Sequence, residues 1–548
     1  MPQNTRYLTG DNHDITEEGY AELADKVSDS HGDVYMITGL SPVMAAAAMA
    51  RLSRNPHDMR KVILEEFVGQ EGQDEALLKR VISSYGDDSV QQLTGIQFVV
   101  EKASQLLTKQ LEWHRLGAYL EQSTRYIFFD QRDPKGHYKY LVPEGLGEFE
   151  GRYVTALDQV FELYSEMVRG VTAYVREQKR PLKEGEPAGA WQAATRAQAC
   201  DAVRPVLPVA TTSTVGIFMS AQSIDTLVMH LLSEELPEAV KVGEAILREA
   251  RKVIPAFLER TDIPERGGAT VAYKAQTRRA MDKLTSRATA RDHLWQWSPE
   301  LWQWSPEDTS VELMDFYPET SDDAIARMLF PHSSLSLTQL LSLVQRMSET
   351  ERAEVIATYV GTRLNRRHRP GRALEQPHYE WEIVGDYGTF RDLQRHRMVD
   401  GMEWQELTPW LGYDVPELVL EAGYEQQFCR CFELSRELYA AMYDVGLEKE
   451  AQYATLLGHR MRYSFITNLR ELYHLLELRT GPTGHPGYRR ICLKMYDQLT
   501  EVHPELAAGM KFIGKDPDND EDLARMAAEL TAHDRLERLN PLLQQEEA

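Results

Sequence analysis

The sequence predicts an α+β chain of two tandem, mainly helical domains, each with a small β-sheet. Three observations carry that expectation. A His-Arg segment occurs twice, as Trp113-His114-Arg115 and as Arg395-His396-Arg397. Each copy ends a strand pattern followed by a helix pattern, and each is succeeded by long helical patterns. Such a long-period echo suggests an old duplication, and 548 residues are too many for one ordinary core.

Taken in order, residues 1–32 read as a polar lead-in, 33–262 as the first domain, 263–310 as a linker, 311–503 as the second domain and 504–548 as an acidic tail. In the first domain, residues 43–51 are Ala-rich and helical, residues 77–83 keep helical spacing, and residues 86–89 punctuate the pattern as a turn. Residues 95–100 read as a strand. The helix after them sets Ala103, Leu106, Leu107 and Leu111 on one face and delivers His114 and Arg115 at its end. Long helical patterns cover 152–177 and 224–258, separated by a polar, Pro- and Gly-containing stretch at 180–189. In the linker, residues 294–300 are repeated at once as 301–307, both Leu-Trp-Gln-Trp-Ser-Pro-Glu. This reads as a small duplication in a linker or capping loop, or as an aromatic docking surface.

The second domain reproduces the order of parts. Residues 324–329 and 337–346 look helical, 379–384 alternate as a strand, and 389–395 form a short helix ending in Arg395-His396-Arg397. Helices follow near 417–443 and 468–478. The tail is acidic through 516–522 and then charged and helix-like, in the manner of a solvated face.

Bulk properties exclude several classes. A formal net charge of −24 argues against general nucleic-acid binding, which relies on clustered Lys and Arg. The run Arg363-Leu-Asn-Arg-Arg-His-Arg-Pro-Gly-Arg372 is a local exception, read as a solvated loop, a seat for a polyanionic cofactor tail or a contact to RNA phosphates. With neither a membrane-length apolar run nor an N-terminal signal pattern, the expected location is the cytoplasm. The four cysteines, Cys200, Cys429, Cys431 and Cys492, are too few and too irregular for a disulfide framework, and the histidines show no metal-ligand spacing. Free thiols and no metal are expected.

Two clusters carry possible chemistry. In extended backbone Glu121, Ser123 and Arg125 point to one side, which offers an acceptor, a hydroxyl and a planar guanidinium fork. Such a surface suits a nucleotide monophosphate, or else is an exposed salt-bridged strand. In the second half Asn468 opens a helix with Arg470 and His474 on one face, Arg479 stands at its end, and Arg460 and Arg462 lie just upstream. That island reads as an anion or flavin site, or as a helix paired with carboxylates.

These residues carry a resemblance to the flavin-dependent thymidylate synthases. The first segment is similar to their signature Arg-His-Arg-x-x-Ser-x-Asn-Glu-x-Ser-x-Arg-Tyr at His114, Arg115, Glu121, Ser123, Arg125 and Tyr126, and departs from it at Trp113, Ala118 and Leu120. Gln110 and Arg204 stand at further substrate positions, whereas Ser220, Gln222 and Thr226 replace flavin-side residues. The second half shows the reverse: Arg395, His396, Arg397 and Glu403 match the start of the signature, and Asn468, Arg470 and Arg479 match later positions, with His474 for an Asn. Gln405, Leu407 and Gln452 depart from it.

The resemblance implies the flavin-dependent thymidylate synthase fold and reductive methylation of dUMP to dTMP, with FAD as cofactor, methylenetetrahydrofolate as one-carbon donor and NADPH as reductant. It implies substrate binding by Gln110, Glu121, Ser123, Arg125, Arg204 and Arg479, with Ser123, Arg125 and Arg479 nearest the chemistry. It assigns His114, Arg115, Arg395, His396, Arg397, Glu403, Asn468, Arg470 and His474 to flavin. It implies a homodimer forming a pseudo-tetramer, in which two eroded copies pool their surviving groups. Replacing Arg125 with Ala is then expected to weaken nucleotide binding and leave the fold intact. The alternatives are a flavin-dependent modifier of another pyrimidine and a noncatalytic nucleotide-binding homologue.

Overall fold

The computed structural model describes residues 6–9, 14–52, 55–68, 88–289, 309–514 and 530–531. The expected helix at 77–83, most of the turn at 86–89, the Trp-rich repeat and the acidic stretch at 516–522 lie outside the described residues. The elements that matter for function are, in chain order, β1 (Gly95–Ser104), α1 (Gln105–Leu111), β2 (Gly117–Glu121), α2 (Glu150–Tyr174), α3 (Ala188–Val203), β3 (Thr212–Ser220), α4 (Ala221–Leu232), α5 (Pro237–Ala250) and α6 (Gly267–Thr289). In the second half they are β4 (Ser310–Tyr317), β5 (His378–Asp386), α7 (Tyr387–Gln394), β6 (Val399–Trp404), α8 (Glu425–Asp444), β7 (Arg460–Asn468), α9 (Leu469–Arg479) and α10 (Pro486–Val502).

The fold is α+β, and the two halves share a topology. The first sheet runs β1-β3-β2 and the second β4-β5-β7-β6, so in each half the last strand inserts between the two that precede it, and the second sheet adds β4 at its edge. Each half then leaves that central strand through an N-cap: Ser220 accepts from the Ser223 amide, and Asn468 accepts from the Glu471 amide. These caps satisfy amides that the first turn leaves without intrahelical partners.

The chain forms two compact units that do not follow the boundary between the halves. The first comprises Met1–Ala103, Leu107–Glu121 and Ser213–Gln296, and the second Ser104–Leu106, Gln122–Thr212 and Trp297–Ala548. In the first unit, Leu107 and Leu111 of α1, Val215, Ile217 and Met219 of β3, and Ile224, Leu227 and Leu231 of α4 share one buried apolar cluster. Strand β2 lies antiparallel to β3, from Gly117 opposite Met219 to Glu121 opposite Val215.

The second unit weaves both halves together. The apolar stripe of α2, with Tyr153, Leu157, Phe161, Tyr164 and Val168 buried, packs on α8, which buries Phe428, Phe432 and Leu438. Gly170 permits this approach, since a Cβ there would stand 1.9 Å from the Tyr424 hydroxyl. Backbone amides of Val209, Leu457 and Gly458 donate to carbonyls of Thr455, Leu207 and Pro205 at 2.8–2.9 Å. Strands β5 and β7 pair antiparallel from His378 opposite Asn468 to Asp386 opposite Arg460, and bury Tyr379, Trp381 and Ile383 on one face.

Several sequence expectations are corrected. The strand at 95–100 continues through Ser104, so Ala103 lies in β1 and α1 begins at Gln105. The pattern at 224–258 is two helices, because the chain turns after Leu232 and restarts at Pro237, a residue suited to the first helical turn. The pattern at 417–443 is likewise two helices, with Gly423 at positive φ in the turn between them. The linker contains the 23-residue helix α6. Strands β3, β4, β6 and β7 and helices α3 and α10 escaped the sequence reading. All four cysteines are free, and among the described residues no helix is long and apolar enough to cross a membrane.

Candidate active site

The second unit gathers charged groups from five segments. Arg125 lies just beyond β2, which ends at Glu121, so the expected one-sided alternation through 121–125 stops before Ser123. The Arg125 guanidinium grips Asp201 of α3 with both arms, Nε to Oδ1 at 2.9 Å and Nη2 to Oδ2 at 2.8 Å, and Nη1 donates to the Tyr488 hydroxyl at 3.3 Å. Burial opposes its charge and Asp201 more than offsets that, which holds the guanidinium above its ordinary range. The Ser123 hydroxyl accepts from the Arg125 amide and shapes the turn.

Arg479, at the end of α9, lies over the same Tyr488 ring, 5.2 Å from its centroid, while Arg125 is at 5.9 Å. Its Nη1 and Nη2 donate to the Asp392 carboxylate and carbonyl at 3.4 and 2.5 Å. Its Nε donates to His396 Nε2 at 3.0 Å, and His396 Nδ1 donates to Glu471 at 2.8 Å. Accepting from an arginine fixes His396 as the neutral Nδ1–H tautomer. Burial and then Arg479 hold its pKa well below the usual value, in agreement. Burial raises the Asp392 carboxyl, but Arg479, Arg204 and Arg125 together outweigh it and keep the group below the usual range.

Arg204 completes the cluster. It is 4% exposed, its Nη2 stands 3.9 Å from Asp392, and that nitrogen has no hydrogen-bond partner among the described residues. Gly388 lets it lie against the start of α7, where a Cβ would come within 2.9 Å of Nη2. His485 caps α10 by accepting from the Gly487 amide at 3.1 Å, and burial and then Arg204 push its pKa down to about 3. Three guanidiniums therefore face the carboxylates of Asp201 and Asp392, with neutral imidazoles between. Asp386, which caps α7, is raised by burial, only partly countered by Thr389 and Arg204. The cluster favours an anionic guest.

Beside it, His396, Glu471 and His474 bring ligand-type atoms within 4.8 Å of one another. Both His396 nitrogens are committed, and the charges of Arg366 and Arg369 reach His474, so the surroundings repel a cation. The chemistry is that of a hydrogen-bonded relay. Arg470 is tied to Pro370 and Glu375, and the Asn468 side chain is used as a helix cap. Arg395, Arg397 and Glu403 are exposed. Arg460 and Arg462 do not join the island: Arg460 is buried against Asp414, and Arg462 pairs with Glu382.

Gln110, His114, Arg115 and Glu121 belong to the first unit. There Gln110 meets His230 at 2.9 Å, and the Trp113 ring stacks on His230 at 4.6 Å. His114 Nε2 is buried without a partner among the described residues, and burial and then Lys274 push its pKa to about 4. Sequence reasoning missed Asp201, Asp392, Glu471, His485, Tyr488 and His230. Glu471, three residues after the Asn468 cap, and Asp392, four before His396 on a helix, had a spacing that could have been read. Tyr488 had none.

The profile of the family described as "Thymidylate synthase complementing protein" matches residues 37–256 and 312–505. A UPF0159 protein of Chlamydia pneumoniae is 30% identical over 528 residues, covering 93% of this chain and 96% of that protein. One from Thermoplasma acidophilum is 26% identical over 509 residues, covering 88% and 97%. A flavin-dependent thymidylate synthase of Clostridium tetani is 22% identical over 222 residues, 39% of this chain and 80% of that protein. Among solved structures, the UMP/dUMP methylase PolB from Streptomyces cacaoi aligns with a TM-score of 0.31 and 17% identity, covering 38% of this chain and 96% of that one.

Proposed function

The chain belongs to the thymidylate synthase complementing protein family, and from that premise we propose that it is a flavin-dependent enzyme that reductively methylates dUMP at C5. The observation that carries the reading is the buried Arg204 Nη2, a charged donor without a hydrogen-bond acceptor among the described residues, in a chain of net charge −24. A buried unsatisfied guanidinium nitrogen is costly, and a phosphate or an ionised pyrimidine satisfies it. Arg204, Arg125 and Arg479 bind the nucleotide, aided by Ser123. Tyr488 presents its ring beneath two of these arginines. Fixed cations of this kind also stabilise negative charge that develops on the pyrimidine.

The donor set beside them suits an anionic, planar cofactor, because Arg470, Arg395 and Arg397 offer cations around the buried His396, while burial keeps the His474 imidazole neutral. FAD bound there supplies the reducing equivalents for the transferred one-carbon unit. The relay Glu471–His396–Arg479 holds one arginine in place without adding charge, since the imidazole stays neutral. Methylenetetrahydrofolate is the donor and NADPH the reductant. We read the two halves as a duplication, and the functional particle as a homodimer equivalent to a tetramer of single-copy relatives.

One observation favours a second reading, in which another pyrimidine is modified: Arg125 already spends both arms on Asp201, which leaves fewer donors for a phosphate dianion. The purified protein, examined for flavin absorbance, for bleaching with NADPH under anaerobic conditions and for dUMP affinity, tests both. The dUMP reading requires bound flavin, dUMP binding lost in Arg204→Ala, and growth of a thymidine-requiring strain without thymidine. Colourless protein with no dUMP affinity sinks it.

A further inference from the structure

The basic run at residues 363–372 holds five arginines, and the fold treats them differently. Arg363 turns inward, where its Nη1 and Nη2 donate to Glu477 at 2.7 and 2.5 Å, with the two side chains 2% and 0% exposed. Its guanidinium lies 5.2 Å from the ring centroids of both Tyr473 and Phe512. One end of the loop is thereby pinned to α9. Near the other end, Arg470 of α9 donates from Nε to the Pro370 carbonyl at 2.9 Å. Between the two anchors, the Arg363 Nε bonds the His368 carbonyl, and the Asn365 side chain accepts from the Arg367 amide. Arg372 pairs with Glu375.

Arg366, Arg367 and Arg369 remain, and their side chains have no hydrogen bond or ion pair among the described residues. This occurs in a chain with 85 acidic residues against 61 basic ones, where partners for a surface arginine abound. Three like charges held together on a loop fastened at both ends repel one another, and a multivalent anion relieves that repulsion. The loop is also next to the relay, because the charges of Arg369 and Arg366 reach His474 of α9.

We propose that Arg366, Arg367 and Arg369 seat the multiply charged tail, carboxylate or phosphate, of a small ligand whose body lies against α9. On the reading above, from which this part follows, that ligand is the folate donor and the tail is its chain of glutamyl carboxylates. Guanidinium forks match carboxylates in geometry. A small ligand is favoured over RNA because the positive charge is confined to one loop, whereas RNA binders spread it over a face.

The test uses the full-length protein and compares, by calorimetry, a folate carrying one glutamate with the same folate carrying three, with inorganic tripolyphosphate as a probe that lacks the folate body. The three-glutamate form should bind about tenfold more tightly, a preference that shrinks with added salt. In Arg367→Ala/Arg369→Ala the preference should vanish while the one-glutamate affinity and the melting temperature stay unchanged. Equal affinities in the native protein, or a preference that survives the double variant, overturn the proposal. An RNA oligonucleotide that outcompetes the three-glutamate folate at these arginines overturns it in favour of nucleic acid. Tripolyphosphate that binds and is lost in the variant, with neither folate bound, upholds the anion seat and removes the thymidylate synthase reading instead.

Discussion

At the scale of the residue, the candidate site is an exercise in charge compensation. Arg125 and Asp201 have side chains only 14% and 7% exposed, so the pair is largely out of water. Removing one partner leaves the other buried and unpaired, and Arg125→Ala should therefore cost about 3–5 kcal/mol of stability. This revises the expectation that the fold tolerates that change. Urea unfolding checks it, and Arg125→Met with Asp201→Leu should recover much of the loss; a single variant as stable as the parent contradicts the buried pair. The imidazoles give a pH signature. Burial pushes His459 and His485 down to about 3, with Arg204 adding to the effect at His485. The unfolded chain takes up protons near the ordinary histidine value and the folded chain does not. Stability is thus complete above about pH 6.5 and is lost as pH falls toward 3, at about 2.7 kcal/mol per pH unit for these two groups between pH 6 and 4. A melting temperature flat from pH 7 to 5 would show that they are not buried neutral.

At the scale of the element, α9 is the part on which the site depends. It carries Arg470, Glu471, His474 and Arg479, and its start is set by the Asn468 side chain, which accepts from the Glu471 amide at 2.9 Å. Loss of an N-cap costs about 1 kcal/mol. Asn468→Ala should lower stability by that amount and displace Glu471 from His396, whereas Asn468→Ser keeps the cap. If Asn468 also holds flavin, the Ser variant unfolds like the parent yet binds cofactor more weakly; equal cofactor affinity in parent and Ser variant assigns the residue to capping alone. Where the sequence predicted single long helices at 224–258 and 417–443, short turns divide them. Hydrophobic periodicity runs through such turns because both flanking helices face the same core.

At the scale of the whole molecule, the halves of the sequence are not the units of the fold. Residues 122–212 belong to the first half and build the second unit, where α2 covers α8 and α3 supplies Asp201 beside Tyr488. Residues 309–514 produced alone should therefore fail to fold, with the α8 residues Phe428, Phe432 and Leu438 left in water. Co-production with residues 88–296 should restore a cooperative melt. A cooperatively folding 309–514 fragment, detected by circular dichroism, would show that α2 is dispensable.

The sequence by itself determined the α+β class, the repeated strand-helix order and the family, and it singled out Arg125, Arg204 and Arg479 as candidates, because periodicity and motif chemistry are local properties of the chain. It located the central helices of both halves. It left β3, β4, β6 and β7 unread, since a strand is defined by a partner that is distant in sequence. Only the tertiary structure decided that Arg125 is spoken for by Asp201, that His396 is held neutral between Glu471 and Arg479, and that, among the described residues, Arg204 keeps a buried donor without an acceptor and three arginines of one loop have no side-chain partner. The reason is physical: the charge state and availability of a side chain depend on neighbours and burial that the fold alone brings about.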